Sequence, residues 1–208
     1  MENIGSASCA GSKFILGITG GVGSGKSRVL EILKEEYGFR VIQADQVAKD
    51  LMQPGRDSYR AVVDCLGPSV LNEDGTINRP AMARIIFGCP DKRIQVDRLT
   101  HPLVWNAAFG EALACPEPLV VIEAAIPSKE FRDNCGEMWY VYTSRENRME
   151  RLRESRGYTD EKTESIMASQ VPEAVFREFS DAIIDNNGPV EDTRKQVRKL
   201  LENKIRME

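Results

Sequence analysis

The segment Gly20-Gly21-Val22-Gly23-Ser24-Gly25-Lys26-Ser27 constrains this chain more than any other. The apolar run Phe14-Ile15-Leu16-Gly17-Ile18-Thr19 leads into it, and Val29, Leu30, Leu33 and Tyr37 follow at a spacing that fits one helical face. A strand, a glycine-rich turn and a helix in that order make a phosphate-binding loop, or P-loop. Glycines let the backbone turn sharply and leave successive N–H groups unshielded, so the loop cradles phosphate oxygens. The positive end of the following helix adds to the attraction, Lys26 can reach β- and γ-phosphates, and the Ser27 hydroxyl can ligate magnesium. The expected nucleotide contacts are therefore Gly21, Val22, Gly23, Ser24, Gly25, Lys26, Ser27 and Arg28. A dinucleotide-binding turn would also find an acid about 20 residues on, at Asp45, but it requires a third glycine where Lys26 stands.

With 208 residues the chain can fill one core, and a single α/β domain with insertions is expected. Hydrophobic residues make up 41% and charged residues 29%, as in ordinary soluble proteins, and no apolar run is long enough to span a bilayer. The net charge of −4 argues against a nucleic-acid footprint. Met1 to Ser12 make a poor signal peptide, which points to the cytosol. The cysteines Cys9, Cys65, Cys89, Cys115 and Cys135 are odd in number and lack a C-x-x-C pair, so they read as reduced thiols.

Beyond the loop helix, which Gly38 is placed to cap, Phe39–Ile42 reads as a second strand ending near Asp45. Residues 46–115 look helical, with a break or kink expected at Thr100 to Pro102. Strands are expected again at Pro118–Ile122, Met138–Tyr142 and Ala182–Ile184, and a last helix over 190–204. Alternating strands and helices predict a doubly wound, five-stranded parallel sheet whose ligands bind beyond the strands' carboxyl ends. The P-loop, Asp45 and Glu123 should then face one crevice.

Asp45 is the candidate acid to orient an acceptor hydroxyl or take its proton, and it could also help hold magnesium. The alternative is a plain N-cap for a helix starting at Gln46. Glu123 is either an acid acting on magnesium through water or a solvent-facing carboxylate at a strand end. Arg145, Arg148, Arg151, Arg153 and Arg156 alternate with Glu146, Glu150 and Glu154, a pattern that suits a solvated helix. Phosphoryl transfer also needs mobile positive charge, which a closing arginine-bearing lid supplies. Arg156, beside the Gly157 break, is the best placed of the five.

These segments together resemble the dephospho-coenzyme A kinase family from about Phe14 to Leu200. They are Ile18 to Ser27, Val41 to Asp45, Asp74-Gly75-Thr76-Ile77-Asn78-Arg79 with Ile86-Phe87, Leu99-Thr100-His101-Pro102, Gln170-Val171-Pro172, and Ala182 to Gly188. The resemblance implies a P-loop kinase fold like that of nucleoside monophosphate kinases, with a core over about 13–45, 118–143 and 181–208. A helical acceptor-binding insertion over about 46–115 and a helical lid over about 145–179 complete it. It also implies magnesium-dependent transfer of the ATP γ-phosphate to the 3′-hydroxyl of dephospho-coenzyme A, the last step of coenzyme A synthesis. Asp45 would be the catalytic base, Arg156 the lid arginine, and Arg79 and His101 would lie on the acceptor side, where His101 could equally be structural. Partners would be this small substrate, with no nucleic acid and no membrane. The chain departs from the family pattern at Gln43, where an aspartate is usual, at Arg28 and Pro80, and over Glu123-Ala124-Ala125-Ile126-Pro127. A different nucleotide or nucleoside kinase is the nearest alternative. A GTP-dependent switch is disfavoured because the guanine-reading N-K-x-D pattern is absent.

Overall fold

The protein is described here by a computed structural model covering residues 13–205. Met1 to Ser12, with Cys9 and the leader expectation, lie outside the described residues. Five strands, β1 (Phe14–Thr19), β2 (Arg40–Gln43), β3 (Leu119–Ala124), β4 (Glu137–Tyr142) and β5 (Ala182–Asp185), form one all-parallel sheet in the order β2-β3-β1-β4-β5. All five correspond to sequence-expected strands, with ends shifted by one or two residues. β1 sits at the centre, paired from Phe14↔Leu119 to Thr19↔Ala124 on one side and from Leu16↔Glu137 to Thr19↔Tyr140 on the other.

Period-two alternation sends the β1 side chains to opposite faces, and each face has its own core. Leu16 and Ile18 join Val121, Trp139 and Val141 beneath α1 (Lys26–Tyr37) and α10 (Val190–Ile205). Ile15 joins Val120, Ile122, Phe131 and Met138 beneath α5 (Pro90–Ala114), whose Ala108 and Ala112 let the helix approach closely. Gly17 lies on this second face, where an added Cβ would sit 3.0 Å from Cys135 Sγ. Gly38 ends α1 at φ 70°, its N–H bonded to the Lys34 carbonyl, as a left-handed C-terminal glycine should.

Between β2 and β3 lie α2 (Ala44–Leu51), α3 (Asp57–Leu66), a 3₁₀ turn (Pro68–Val70), α4 (Arg79–Gly88) and α5. This segment has a small core of its own around Val62, Val70 and Val96. Two expectations are corrected here. Helix α5 runs unbroken through Pro102, because packing against α2, α3, α4 and the sheet outweighs the lost hydrogen bond. Helix α2 starts at Ala44 rather than Gln46, so Asp45 lies in its first turn and makes no capping bond. Between β4 and β5 come α7 (Arg145–Arg156), α8 (Asp160–Ala168) and α9 (Glu173–Glu178), preceded by α6 (Lys129–Asp133) in the β3–β4 connection. No helix among the described residues is long and apolar enough to cross a membrane.

Candidate active site

The carboxyl ends of β1, β2 and β3 open into a cavity of about 700 Å³ lined by Gly21, Val22, Gly23, Gly25, Lys26 and Ser27 of the loop. Gln43, Asp45 and Glu123 line it from the neighbouring strand ends, and Arg151, Ser155, Arg156 and Gln170 from the segment above. The volume lies within the range of small-molecule sites. The crevice that sequence reasoning required of β1, β2 and β3 is thus present.

Lys26 anchors the electrostatics. Its Nζ donates to the Gly20 carbonyl at 2.8 Å and stands 3.4 Å from Glu123 Oε1. Glu123 is buried and also accepts from Gln43 Nε2 at 3.4 Å, across the β2–β3 register pair Gln43↔Glu123. The reading of Glu123 as a solvent-facing strand end is therefore overturned: its carboxylate faces the loop lysine. Ser27, Asp45 and Glu123 offer oxygen ligands around one cavity, a donor set that suits magnesium, which is held by few protein oxygens together with phosphates.

A buried network fixes the loop from behind. The Ser24 carbonyl accepts from Asn186 Nδ2 at 2.8 Å and from Thr143 Oγ1 at 2.9 Å, and Asn186 Oδ1 in turn accepts from Thr193 Oγ1 at 2.8 Å. Arg151 donates to the Asn186 carbonyl at 2.7 Å and to Thr143 Oγ1 at 3.2 Å, which sets its guanidinium at the cavity wall. Gly25 has φ 87°, and a Cβ there would overlap Asn186 Nδ2, so both conformation and space demand glycine. At the other end of the loop, Arg148 Nε donates to the Val22 carbonyl at 2.7 Å. Its Nη2 donates at 2.6 Å to Gln170 Oε1, which also accepts the Val22 N–H at 3.2 Å. Burial holds the Arg148 guanidinium below the usual arginine range.

The remaining candidates are placed unequally. Arg156 is exposed at the C-terminal end of α7 and reaches the cavity rim, its guanidinium 5.9 Å from the Tyr158 ring centre. Ser24 is buried behind the loop, and Arg28 points away, paired with Glu31 at 3.0 Å. His101, on α5, is exposed, with Nε2 3.9 Å from Asp97 Oδ1. It lines a second cavity of about 210 Å³ together with Asp45, Ala48, Trp105 and Ala125. Asp45 and Ala125 belong to both cavities, which therefore adjoin. Arg79, the first residue of α4, lines a third cavity with Ala48 and Met82. Sequence reasoning did not assign Asn186 or Thr143, and it gave Gln170 and Arg151 no specific place; only Gln170 and Asn186 carried a signal, as members of the quoted motifs.

A profile of the dephospho-CoA kinase family matches residues 14–192. The chain belongs to the dephospho-CoA kinase family. A dephospho-CoA kinase of Streptococcus mutans is 36% identical over 190 residues, covering 90% of this chain and 96% of that protein. A Thermus thermophilus protein of solved structure superposes with a TM-score of 0.78 at 25% identity, over 93% of this chain and 99% of that one. Dephospho-CoA kinase from Campylobacter jejuni shares the fold, with a TM-score of 0.65 at 18% identity over 91% and 96% of the two chains. As in other members of the dephospho-CoA kinase family, ATP use follows from the phosphate-binding loop.

Proposed function

We propose that this protein transfers the γ-phosphoryl group of ATP to the 3′-hydroxyl of dephospho-coenzyme A, giving coenzyme A and ADP in the last step of that cofactor's synthesis. The observation that carries this reading is the position of Asp45, at the junction of the phosphate-loop cavity and the His101 cavity. A hydroxyl presented from the His101 side meets a carboxylate on its way to the phosphate.

In this reading the loop N–H groups and Lys26 hold the β- and γ-phosphates. Lys26 exchanges its partners Gly20 and Glu123 for phosphate oxygens without a change of charge state. Asp45 orients the attacking hydroxyl and takes its proton as the phosphorus–oxygen bond to the donor breaks and the new one forms. Arg151, held in place by Asn186 and Thr143, and Arg156 at the rim supply positive charge to the migrating group. Magnesium, held by Ser27 and the nucleotide with Glu123 acting through water, neutralises charge on the β- and γ-oxygens when bound. Both substrates are small and water-borne, and the net charge of −4 gives no support to a nucleic-acid or anionic-membrane partner; we place the enzyme in the cytosol.

Steady-state turnover with a panel of acceptors tests the assignment. Saturable phosphorylation of dephospho-coenzyme A is expected. Turnover of a nucleoside monophosphate in its place would overturn the acceptor. Asp45→Asn is expected to keep ATP binding and lower kcat by about 10²–10⁴-fold, the usual worth of a general base; unchanged kcat would remove Asp45 from the chemistry.

A further inference from the structure

Helix α2 links the candidate base to a cavity that the proposed chemistry does not use. Asp45, Ala48, Lys49 and Met52 stand at positions i, i+3, i+4 and i+7, the spacing of one helix face. The cavities follow that stripe. Asp45 and Ala48 line the His101 cavity, and Ala48, Lys49 and Met52 line a further cavity of about 420 Å³, closed on its other side by Ile77, Arg79 and Met82. The turn that brings Ile77 there is held by Asn72 N–H to the Thr76 carbonyl at 2.8 Å, by the Asp74–Thr76 bonds and by the Leu71↔Ile77 bridge.

The lining is of two kinds. Met52, Ile77 and Met82 are apolar and half-buried, and methionine adapts its shape to irregular chains. Lys49 and Arg79 are exposed cations at the edge of this apolar wall, and neither side chain has an ion-pair or hydrogen-bond partner among the described residues. Elsewhere the surface cations Arg40, Lys129, Arg153 and Lys195 are each paired with a carboxylate. A bipolar lining of this kind fits a ligand that joins an anionic group to a flexible, weakly polar chain.

We propose that this cavity seats the diphosphate and pantetheine arm of the acceptor, with Lys49 and Arg79 meeting the diphosphate and Met52, Ile77 and Met82 meeting the arm. The proposal rests on the kinase reading above and extends it from the reacting hydroxyl to the far end of the substrate. Spacing supports it. Lys49 lies one helical turn, about 5.4 Å, beyond Asp45, comparable with the span of a ribose from its 3′-oxygen to its 5′-phosphate. Met52 lies almost another turn further on, where the arm begins. The helix thereby acts as a ruler, setting the reactive oxygen at Asp45 when the diphosphate is at Lys49.

The test is steady-state kinetics on the full chain, with dephospho-coenzyme A and with adenosine 5′-monophosphate, which keeps the 3′-hydroxyl but lacks the second phosphate and the arm. In the Lys49→Gln/Arg79→Gln variant, KM for dephospho-coenzyme A is expected to rise by about tenfold or more with kcat within about twofold, the pattern of lost uniform binding. Raised salt should weaken acceptor binding in the parent more than in this variant. In Met82→Glu, KM for dephospho-coenzyme A should rise while turnover of adenosine 5′-monophosphate stays as in the parent. An unchanged ATP dissociation constant in each variant certifies the fold. Parent-like KM in both variants overturns the subsite even where the parent phosphorylates dephospho-coenzyme A. Absence of that turnover in the parent overturns the kinase reading itself.

Discussion

Replacing Asn186 by alanine tests whether the phosphate loop is held from behind by the network described above. Two bonds disappear, Asn186 Nδ2 to the Ser24 carbonyl and Thr193 Oγ1 to Asn186 Oδ1, both 2.8 Å and buried. Their consequences differ. The Ser24 carbonyl keeps Thr143 Oγ1 at 2.9 Å, so its loss is that of one ordinary bond, about 1 kcal/mol. Thr193 is fully buried and loses the partner of its hydroxyl, which costs about 1–3 kcal/mol for a stranded donor. The sum is about 2–4 kcal/mol, a large part of the ~5–15 kcal/mol that separates folded from unfolded chains. Urea unfolding followed by tryptophan fluorescence reads it, since Trp139 is fully buried in the core above α1 and α10. The midpoint should fall with an unchanged slope. Adding Thr193→Val, which swaps the stranded hydroxyl for a methyl group, should restore about 1 kcal/mol of the loss. A loss below about 0.5 kcal/mol for Asn186→Ala, typical of a surface change, would refute the network's importance. So would the absence of coupling to position 193.

Three further substitutions or reactions probe the remaining pieces. Glu123→Gln removes the carboxylate beside Lys26 but leaves the Gly20 bond, so metal-free ATP should bind no more weakly while the magnesium requirement for turnover rises by about tenfold; an unchanged magnesium titration would detach Glu123 from the metal. Arg156→Ala should lower kcat by about 10²-fold without changing the unfolding midpoint, whereas Arg151→Ala, which also releases Thr143 and the Asn186 carbonyl, should lower both; equal stability of the two variants would contradict the division. Burial pushes the Cys135 thiol up to about 12 from 9.0, so the protonated form is the one the fold favours. That contribution is complete below pH 9 and is lost as the pH climbs towards 12. Iodoacetamide at pH 8 should therefore label Cys65, Cys89 and Cys115, all half-buried, well before Cys135, and equal rates would show the site to be open.

Local signals made much of this molecule legible. The glycine loop, the apolar run before it, the Gly38 cap and the turn dipeptides are written within a few residues of the structure they cause. The sheet followed from continuous apolar runs at Leu119–Ala124 and Glu137–Tyr142, which only a buried parallel strand explains. What stayed hidden depends on contacts between distant positions. Asn186 and Ser24 are 162 residues apart, and nothing near either predicts their bond. Glu123 is turned inward by Lys26, a lysine on the far side of the neighbouring strand's loop, so its own neighbours could not reveal its direction. Pro102 misleads for the opposite reason. Its local penalty is real, but the packing of α5 against three helices and the sheet is larger.

The two halves of the site hang from strands that are held unequally. β1, which delivers the phosphate loop, is central and bonded on both sides, whereas β2, which delivers Asp45 through α2, is a four-residue edge strand bonded only to β3. Edges open at lower free energy than centres. Under mild stress the chain therefore passes through a form that still captures nucleotide but has lost its alignment with the acceptor. Such a form is a sterile binder, competing for ATP without spending it, so the security of a single short edge separates a working catalyst from a nucleotide trap.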